Sequence, residues 1–283
     1  MSTSSVRGKV AVVTGAGSGI GRAVAIELSK RGALVSGCDV DEPGLKETAT
    51  LCTGELHTAV VDMGSRDAVL DYASEVVAHF GQVNQVYNNA GIAFARSVLE
   101  SEWADYERVL RVNLEGVIHG TQAFLPHLIA SGDGHVINVS SLNGYLAQPG
   151  MSHYCASKFA VRGFTESLRT EMLLERHPVQ VSVVHPGGVA TSIADNALAA
   201  AREAGQEVTA VHEARNRTYR EKLLRLPADK AATIIVDGVE AGRVRIRVGS
   251  DAVLVDRLVR LLPTTAGRIA VALERRMLKA EQT

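Results

Sequence analysis

Only three of the 283 residues are cysteine, Cys38, Cys52 and Cys155. An odd number with no Cys-x-x-Cys pair argues against a disulfide framework, and a reducing cytoplasm is the expected compartment. Charge of one sign is also lacking. A net charge of −1 leaves no basic excess to attract nucleic acid, and no nucleic-acid partner is expected. No run of eighteen apolar residues occurs, so no membrane-spanning helix is expected, and the opening MSTSSVRGK has no apolar stretch like that of a secretory leader. The nine histidines are scattered without ligand spacing, and no metal site is expected. What remains, 46% hydrophobic and 22% charged, suits one large α/β domain with ample length for a core.

Short β-branched runs alternate with longer helical periods. Strands are expected at 10–14, 33–38, 57–61, 83–87, 135–139, 179–184 and 244–248, and helices at 20–31, 66–80, 103–129, 152–176 and 229–241. Seven strands separated by helices imply an α/β class, a single-domain, Rossmann-like, doubly wound parallel sheet with helices on both faces. Residues 190–226, rich in alanine and charge with no strand signal, read as helical pieces of a lid inserted into a domain spanning 1–249. Residues 250–283 follow as a helical extension in two segments divided by Pro263.

Directly after the first strand, Gly15, Gly17, Gly19 and Gly21 crowd into one turn. Glycine tolerates positive φ and close approach of other atoms, and a glycine-rich turn between strand and helix is where phosphates are commonly cradled. The G-x-G-x-x-G register fails because Ile20 stands where a third glycine is needed, and no Gly-Lys-Ser/Thr follows. The spacing Gly15-x-x-x-Gly19-x-Gly21 after Thr14 resembles the cofactor loop of the short-chain dehydrogenase/reductase family. That resemblance implies a dinucleotide held by Gly15, Ser18, Gly19, Ile20 and Gly21.

In such a sheet an acid at the end of the second strand holds the adenosine ribose, and Asp39 stands there. Its carboxylate would repel a 2′-phosphate, and neither Ser18 nor Val40 supplies a compensating cation. NAD is therefore expected as the cofactor, ahead of NADP. By resemblance Asp62 contacts adenine, and Asn88-Asn89-Ala90-Gly91 matches the family's turn beside the adenosine, with Asn89, Ala90 and Gly91 in contact. The same turn would serve equally as a loop held by Asx-type bonds.

Tyr154 and Lys158 lie at i and i+4 on one helix face, so an ammonium can favour a phenolate and fit the phenol for proton transfer near neutrality. By resemblance these two also bind cofactor, Ser141 rather than its neighbour Ser140 bonds the reacting oxygen, and Asn113 completes a proton relay. Pro186, Gly187, Val189 and Thr191 match the family segment that holds the nicotinamide carboxamide.

The implied activity is an oxidoreductase that interconverts a secondary alcohol and a ketone by direct hydride transfer, with tyrosine as general acid and base. The alternatives are an NADPH-dependent ketoreductase on the same scaffold, or a non-catalytic dinucleotide sensor or scaffold. Leu142, Leu146, Met151, Val189 and Ile193 flank the catalytic positions and fit an apolar alcohol or ketone, or ordinary lid packing. Phe159, Val161, Phe164 and Leu168 beside the catalytic pair suggest an oligomer interface, and the resemblance implies a homotetramer. Leu254, Leu258 and Leu262 form a stripe with Arg257 and Arg260 opposite. It reads either as packing against the domain or a neighbouring subunit, which is expected, or as an interfacial membrane helix.

Overall fold

A computed structural model of the chain describes residues 4–203, 208, 213, 217, 220–221 and 223–279. Seven parallel strands form the sheet: β1 (Val10–Thr14), β2 (Leu34–Asp39), β3 (Leu56–Val60), β4 (Gln85–Asn88), β5 (Gly134–Val139), β6 (Val179–Pro186) and β9 (Arg245–Val248). Their order is β3-β2-β1-β4-β5-β6-β9, with the reversal between β1 and β4. Such a reversal opens a crevice at the carboxyl ends of the strands. Two further strands, β7 (Val189–Ala190) and β8 (Leu226–Pro227), pair with each other alone.

The central strands are apolar on both faces because both faces are covered. On one side α1 (Gly19–Lys30) and α8 (Ala228–Glu240) pack Val24, Leu28, Ile235 and Val236 against the sheet. On the other, α3 (Arg66–Phe80), α5 (Gly116–Ala130) and α6 (Ser152–Leu174) bring Tyr72, Val76, Phe124 and Leu168. The strand and helix periods in the sequence therefore mark the faces that the core covers.

Four features depart from the sequence pattern. Helix α2 (Glu42–Leu51) occupies a stretch in which no element is expected, and Asp41 caps it by accepting the Gly44 amide at 3.1 Å. The single helix expected over 103–129 is α4 (Trp103–Leu110) joined to α5 by a π-helical turn, Arg111–Glu115. The lid, read as having no strand, is pinned at both ends by the β7–β8 pair, while Arg225 and Leu226 donate their amides to the Gly188 carbonyl at 3.0 Å. Beyond β7 the lid begins as α7 (Ile193–Glu203); 204–207, 209–212, 214–216, 218–219 and 222 lie outside the described residues.

The fourth concerns the extension, α9 (Ser250–Leu261) and α10 (Ala266–Lys279). Its inward face is not the leucine stripe. Ala252 and Asp256 are the buried residues of α9, and Leu254 is 66% exposed. Asp256 draws the helix in by pairing with Arg247 of β9 at 3.2 Å, with Arg245 at 3.7 Å, and is flanked on its own helix by Arg260 at 2.8 Å. A buried carboxylate needs such partners, and apolar periodicity alone does not register them. Of the four apolar residues on α6 read as an interface, Val161 and Leu168 are buried in the core, whereas Phe159 is exposed. Among the described residues no helix is long and apolar enough to cross a membrane.

Candidate active site

The glycine turn is a junction of chain segments. Gly15 has φ +70°, and a Cβ there would sit 2.9 Å from the Ala90 Cα and from the Asn89 side-chain nitrogen. At Gly17 a Cβ would lie 2.9 Å from an Asp39 carboxylate oxygen, and at Gly19 3.3 Å from the Thr191 methyl. Side chains are excluded partly because other loops of the protein approach. Thr14 Oγ1 accepts the amides of Asn89 and Ala90, each at 3.0 Å, and Asn89 Nδ2 donates to the Thr14 carbonyl at 2.9 Å. The Asn89-Ala90 turn thus holds the glycine turn, through long-range bonds to Thr14 rather than local Asx-type ones.

The crevice has the chemistry of a dinucleotide site. Helix α1 opens at Gly19 with no acid in its first turn, and Ser18 before it makes no side-chain cap bond. Amides at a helix start favour a phosphate. Ile20 packs on the core and leaves only its backbone to the turn. Asp39 Oδ2 accepts the Gly17 amide at 2.8 Å and Oδ1 the Asp41 amide at 3.1 Å. Val40 beside it is 66% exposed. Arg22 is engaged by the Gly17 carbonyl, by Thr48 at 3.1 Å and by Glu47 at 2.7 Å. Asp62 accepts the Gly64 amide and pairs with Arg111, each at 2.8 Å. Burial alone would raise its carboxyl; the Gly64 amide and the Arg111 guanidinium outweigh this and hold it below the usual carboxylate range.

The four catalytic candidates come from three places in the fold: the segment after β5, the π turn and α6. Ser141 ends the β5 segment in extended conformation, and its Oγ accepts the Asn143 amide at 3.1 Å. Ser140 faces the other way and donates to the Lys158 carbonyl at 2.8 Å, so its hydroxyl is committed to anchoring α6. Tyr154, in the first turn of α6, is partly exposed. Its amide donates to His153 Nδ1 at 3.0 Å, a ring that burial holds below the ordinary histidine range. Lys158, one turn on, is 3% exposed, and its Nζ donates to the Val139 carbonyl at 3.0 Å. The ammonium lies 5.7 Å from the Tyr154 ring centroid, and burial lowers its pKa to about 8.

Asn113 sits in the π turn, where Gly116 N–H reaches back five residues to Arg111. Its side chain is fully used. Oδ1 accepts the Ile92 amide at 2.8 Å, and Nδ2 donates to the Ile92 carbonyl at 2.9 Å and to Ser157 Oγ at 3.1 Å. Ser157 in turn donates to the Tyr154 carbonyl at 2.7 Å. A Cβ on Gly91 would stand 3.2 Å from Asn113 Oδ1 and 3.4 Å from Lys158 Nζ. Ser157, a residue the sequence reading passed over, therefore links Asn113 to Tyr154; its only signal is its place beside Lys158.

The Pro186-to-Thr191 segment is fastened from the extension: Asp251, at the start of α9, accepts the Gly188 amide at 2.6 Å, and Gly187 donates to the Val248 carbonyl at 2.9 Å. Val189 places its side chain in the core, so only its backbone is offered to a ligand. Leu142, Leu146, Met151 and Ile193, which flank the candidates in sequence, are partly exposed. Among the described residues no group of three or more His, Cys, Asp or Glu is placed to hold a metal ion.

A parallel sheet with this reversal, a glycine turn at its crevice and a buried lysine one helical turn from a tyrosine together define a dinucleotide-binding oxidoreductase of Rossmann type. The family profile described as short chain dehydrogenase matches residues 9–202, and the chain belongs to that family. SadH of Mycobacterium tuberculosis, named for an inferred oxidoreductase activity, is 49% identical over 272 residues, covering 95% of this chain and 96% of SadH. Human estradiol 17-beta-dehydrogenase 11 is 34% identical over 196 residues, 68% of this chain and 65% of the human protein. Among solved structures, a short chain dehydrogenase/reductase from Burkholderia phymatum in complex with NAD superposes with TM-score 0.83 at 32% identity, over 91% of this chain and 94% of that one. Levodione reductase follows with TM-score 0.73 at 26% identity, over 87% and 98%. The protein is an oxidoreductase of the short chain dehydrogenase family.

Proposed function

We propose that the chain interconverts a secondary alcohol and a ketone with NAD, using Tyr154 as general acid and base. The observation that carries this is Lys158: a lysine buried next to a tyrosine ring with its pKa brought down to about 8 has no evident use in packing, since burying an ammonium costs stability. It does have a use beside a phenol that must exchange a proton.

When bound, the nicotinamide supplies the hydride acceptor or donor. The chain supplies the rest. In the oxidative direction Tyr154 takes the proton from the substrate hydroxyl, with Lys158 favouring its phenolate. Ser141 donates to the reacting oxygen as negative charge develops there. Asn113 and Ser157 hold the Gly91-Ile92 loop and the start of α6 around the pair. Lys158 would also hold the nicotinamide ribose, Asp39 the adenosine ribose, Asp62 the adenine, and the Val189 backbone with Thr191 the carboxamide. A screen of secondary alcohols and ketones with NAD and NADH, followed by nicotinamide absorbance, tests the reading; no turnover with any member would overturn it.

NAD is favoured over NADP because Asp39 accepts the Gly17 amide at the crevice while Val40 offers no cation and Arg22 is already engaged. The NAD bound by the Burkholderia phymatum relative supports the same choice. Asp39→Ala combined with Val40→Arg should shift kcat/KM from NAD toward NADP at least tenfold, as expected when repulsion is replaced by a charge-assisted bond. A wild type already more efficient with NADP would contradict the assignment.

The partly exposed Leu142, Leu146, Met151 and Ile193 favour a substrate with an apolar body. The exposed Phe159 on α6 supports association through that helix, and light scattering at micromolar concentration should give a homotetramer mass rather than a monomer.

A further inference from the structure

Behind Ser141 lies a buried polar stack that the proton-transfer scheme does not use. His185, in β6 just before Pro186, is fully buried, and its Nδ1 lies 2.9 Å from the Ser141 carbonyl oxygen. A carbonyl only accepts, so the imidazole proton is on Nδ1. Burial keeps the ring neutral, with its pKa lowered to about 3. The ring stacks on Tyr145 at a centroid distance of 3.9 Å and an interplanar angle of 27°. Tyr145 is also buried, and burial pushes its phenol up to about 12. The guanidinium carbons of Arg162 and Arg245 stand 5.1 and 5.7 Å from the Tyr145 ring centroid.

Both arginines are fixed in turn. Arg162 donates to the Gly144 carbonyl at 3.3 Å, and Arg245 pairs with Glu166 of the catalytic helix at 2.6 Å and faces Asp256 of α9. A continuous set of contacts thus runs from the extension through Arg245, Tyr145 and His185 to Ser141. The preceding β6 residues Val183 and Val184 show that an aliphatic side chain suits this strand's interior. A buried histidine there costs desolvation unless its bond is put to use.

We propose that His185 is a positioning residue for Ser141: by holding the Ser141 carbonyl against the Tyr145 stack, it fixes the direction in which the serine hydroxyl meets the reacting oxygen. This rests on the assignment of Ser141 given above. A donor to a developing oxyanion loses its value when displaced by a fraction of an ångström, so a residue that never touches substrate can govern turnover.

The test is a double-mutant cycle with the best substrate from the screen. His185→Leu removes the donor and should lower kcat tenfold or more with NADH affinity within twofold of wild type, while His185→Asn, which keeps a donor near Nδ1, should recover most of the loss. In a Ser141→Ala background, His185→Leu should cause no further loss, because no hydroxyl remains to be aimed. Tyr145→Leu, which leaves the imidazole without its stacking partner, should behave in the same non-additive way and carries the test if His185→Leu does not fold. A general structural role would make the losses multiply, and that outcome overturns the proposal. If Ser141→Ala alone turns over like wild type, it is the assignment of Ser141 that fails.

Discussion

Replacing Tyr154 by phenylalanine should lower turnover at least about a hundredfold while NAD still binds with near wild-type affinity. The substitution keeps the ring that lies 5.7 Å from Lys158 Nζ and removes only the group that carries the proton. The start of α6 is anchored through backbone and neighbouring atoms that the substitution leaves in place: the Tyr154 amide to His153, the Tyr154 carbonyl from Ser157, and the Lys158 carbonyl from Ser140. In the wild type, alcohol oxidation should rise with pH because the base form of the phenol is needed, and ketone reduction should fall. Steady-state rates in both directions, beside titration calorimetry with NAD, decide the matter. Near-full turnover in the phenylalanine variant would remove Tyr154 from the chemistry.

Lys158→Met should abolish nearly all turnover and weaken NAD binding, yet make the free protein more stable. Burial brings this lysine from 10.5 to about 8, a difference worth about 3 kcal/mol between the two protonation states. The bond to the Val139 carbonyl returns about 1 kcal/mol of stability, which the variant forgoes, leaving a net gain of about 2 kcal/mol near pH 7. The pH dependence has a definite sign. Below about 8 both folded and unfolded chains carry the proton, and the folded one bears the full cost of a buried ammonium. Between about 8 and 10.5 the unfolded chain holds a proton that the folded chain has released, so wild-type stability from this group rises with pH. The advantage of the methionine variant should therefore be greatest near neutrality and shrink above pH 8. Denaturant melts at pH 7 and pH 10 measure it, and a variant less stable than wild type at pH 7 would show that the site bears no such cost.

The strands were legible because β-branched runs such as Val10 to Val13 need no tertiary context to declare themselves. Tyr154, Lys158, the glycine turn and Asp39 were legible because fixed spacing places them on particular elements. What stayed hidden had non-local causes. His185 gives no local sign, since its partner lies 44 residues away. Asp256 interrupts a leucine stripe and reads as a solvated acid until arginines from β9 surround it. Helix α2 begins Glu42-Pro43-Gly44, a start that masks helical periodicity, and Thr48 ties it down from beneath by donating to the Ala16 carbonyl at 2.8 Å. The π turn cannot be read from Arg111 to Glu115 alone. It depends on the Asn113 side chain being drawn to Ile92 and Ser157.

The glycine turn bears on how the chain folds. Its contacts reach Asp39, 22 residues from Gly17, Asn89, 74 residues from Gly15, and Thr191 farther still. Closing such distant contacts is slow, because chain entropy is lost before the contacts repay it. The nucleotide crevice is therefore complete only after β1, β2, β4 and the segment beyond β6 have all been brought together. A dinucleotide that binds the completed crevice stabilises the folded chain by an amount that grows with the logarithm of its concentration. Cofactor supply then shifts the balance toward completed molecules, and protease should cut the cofactor-free chain faster than the loaded one.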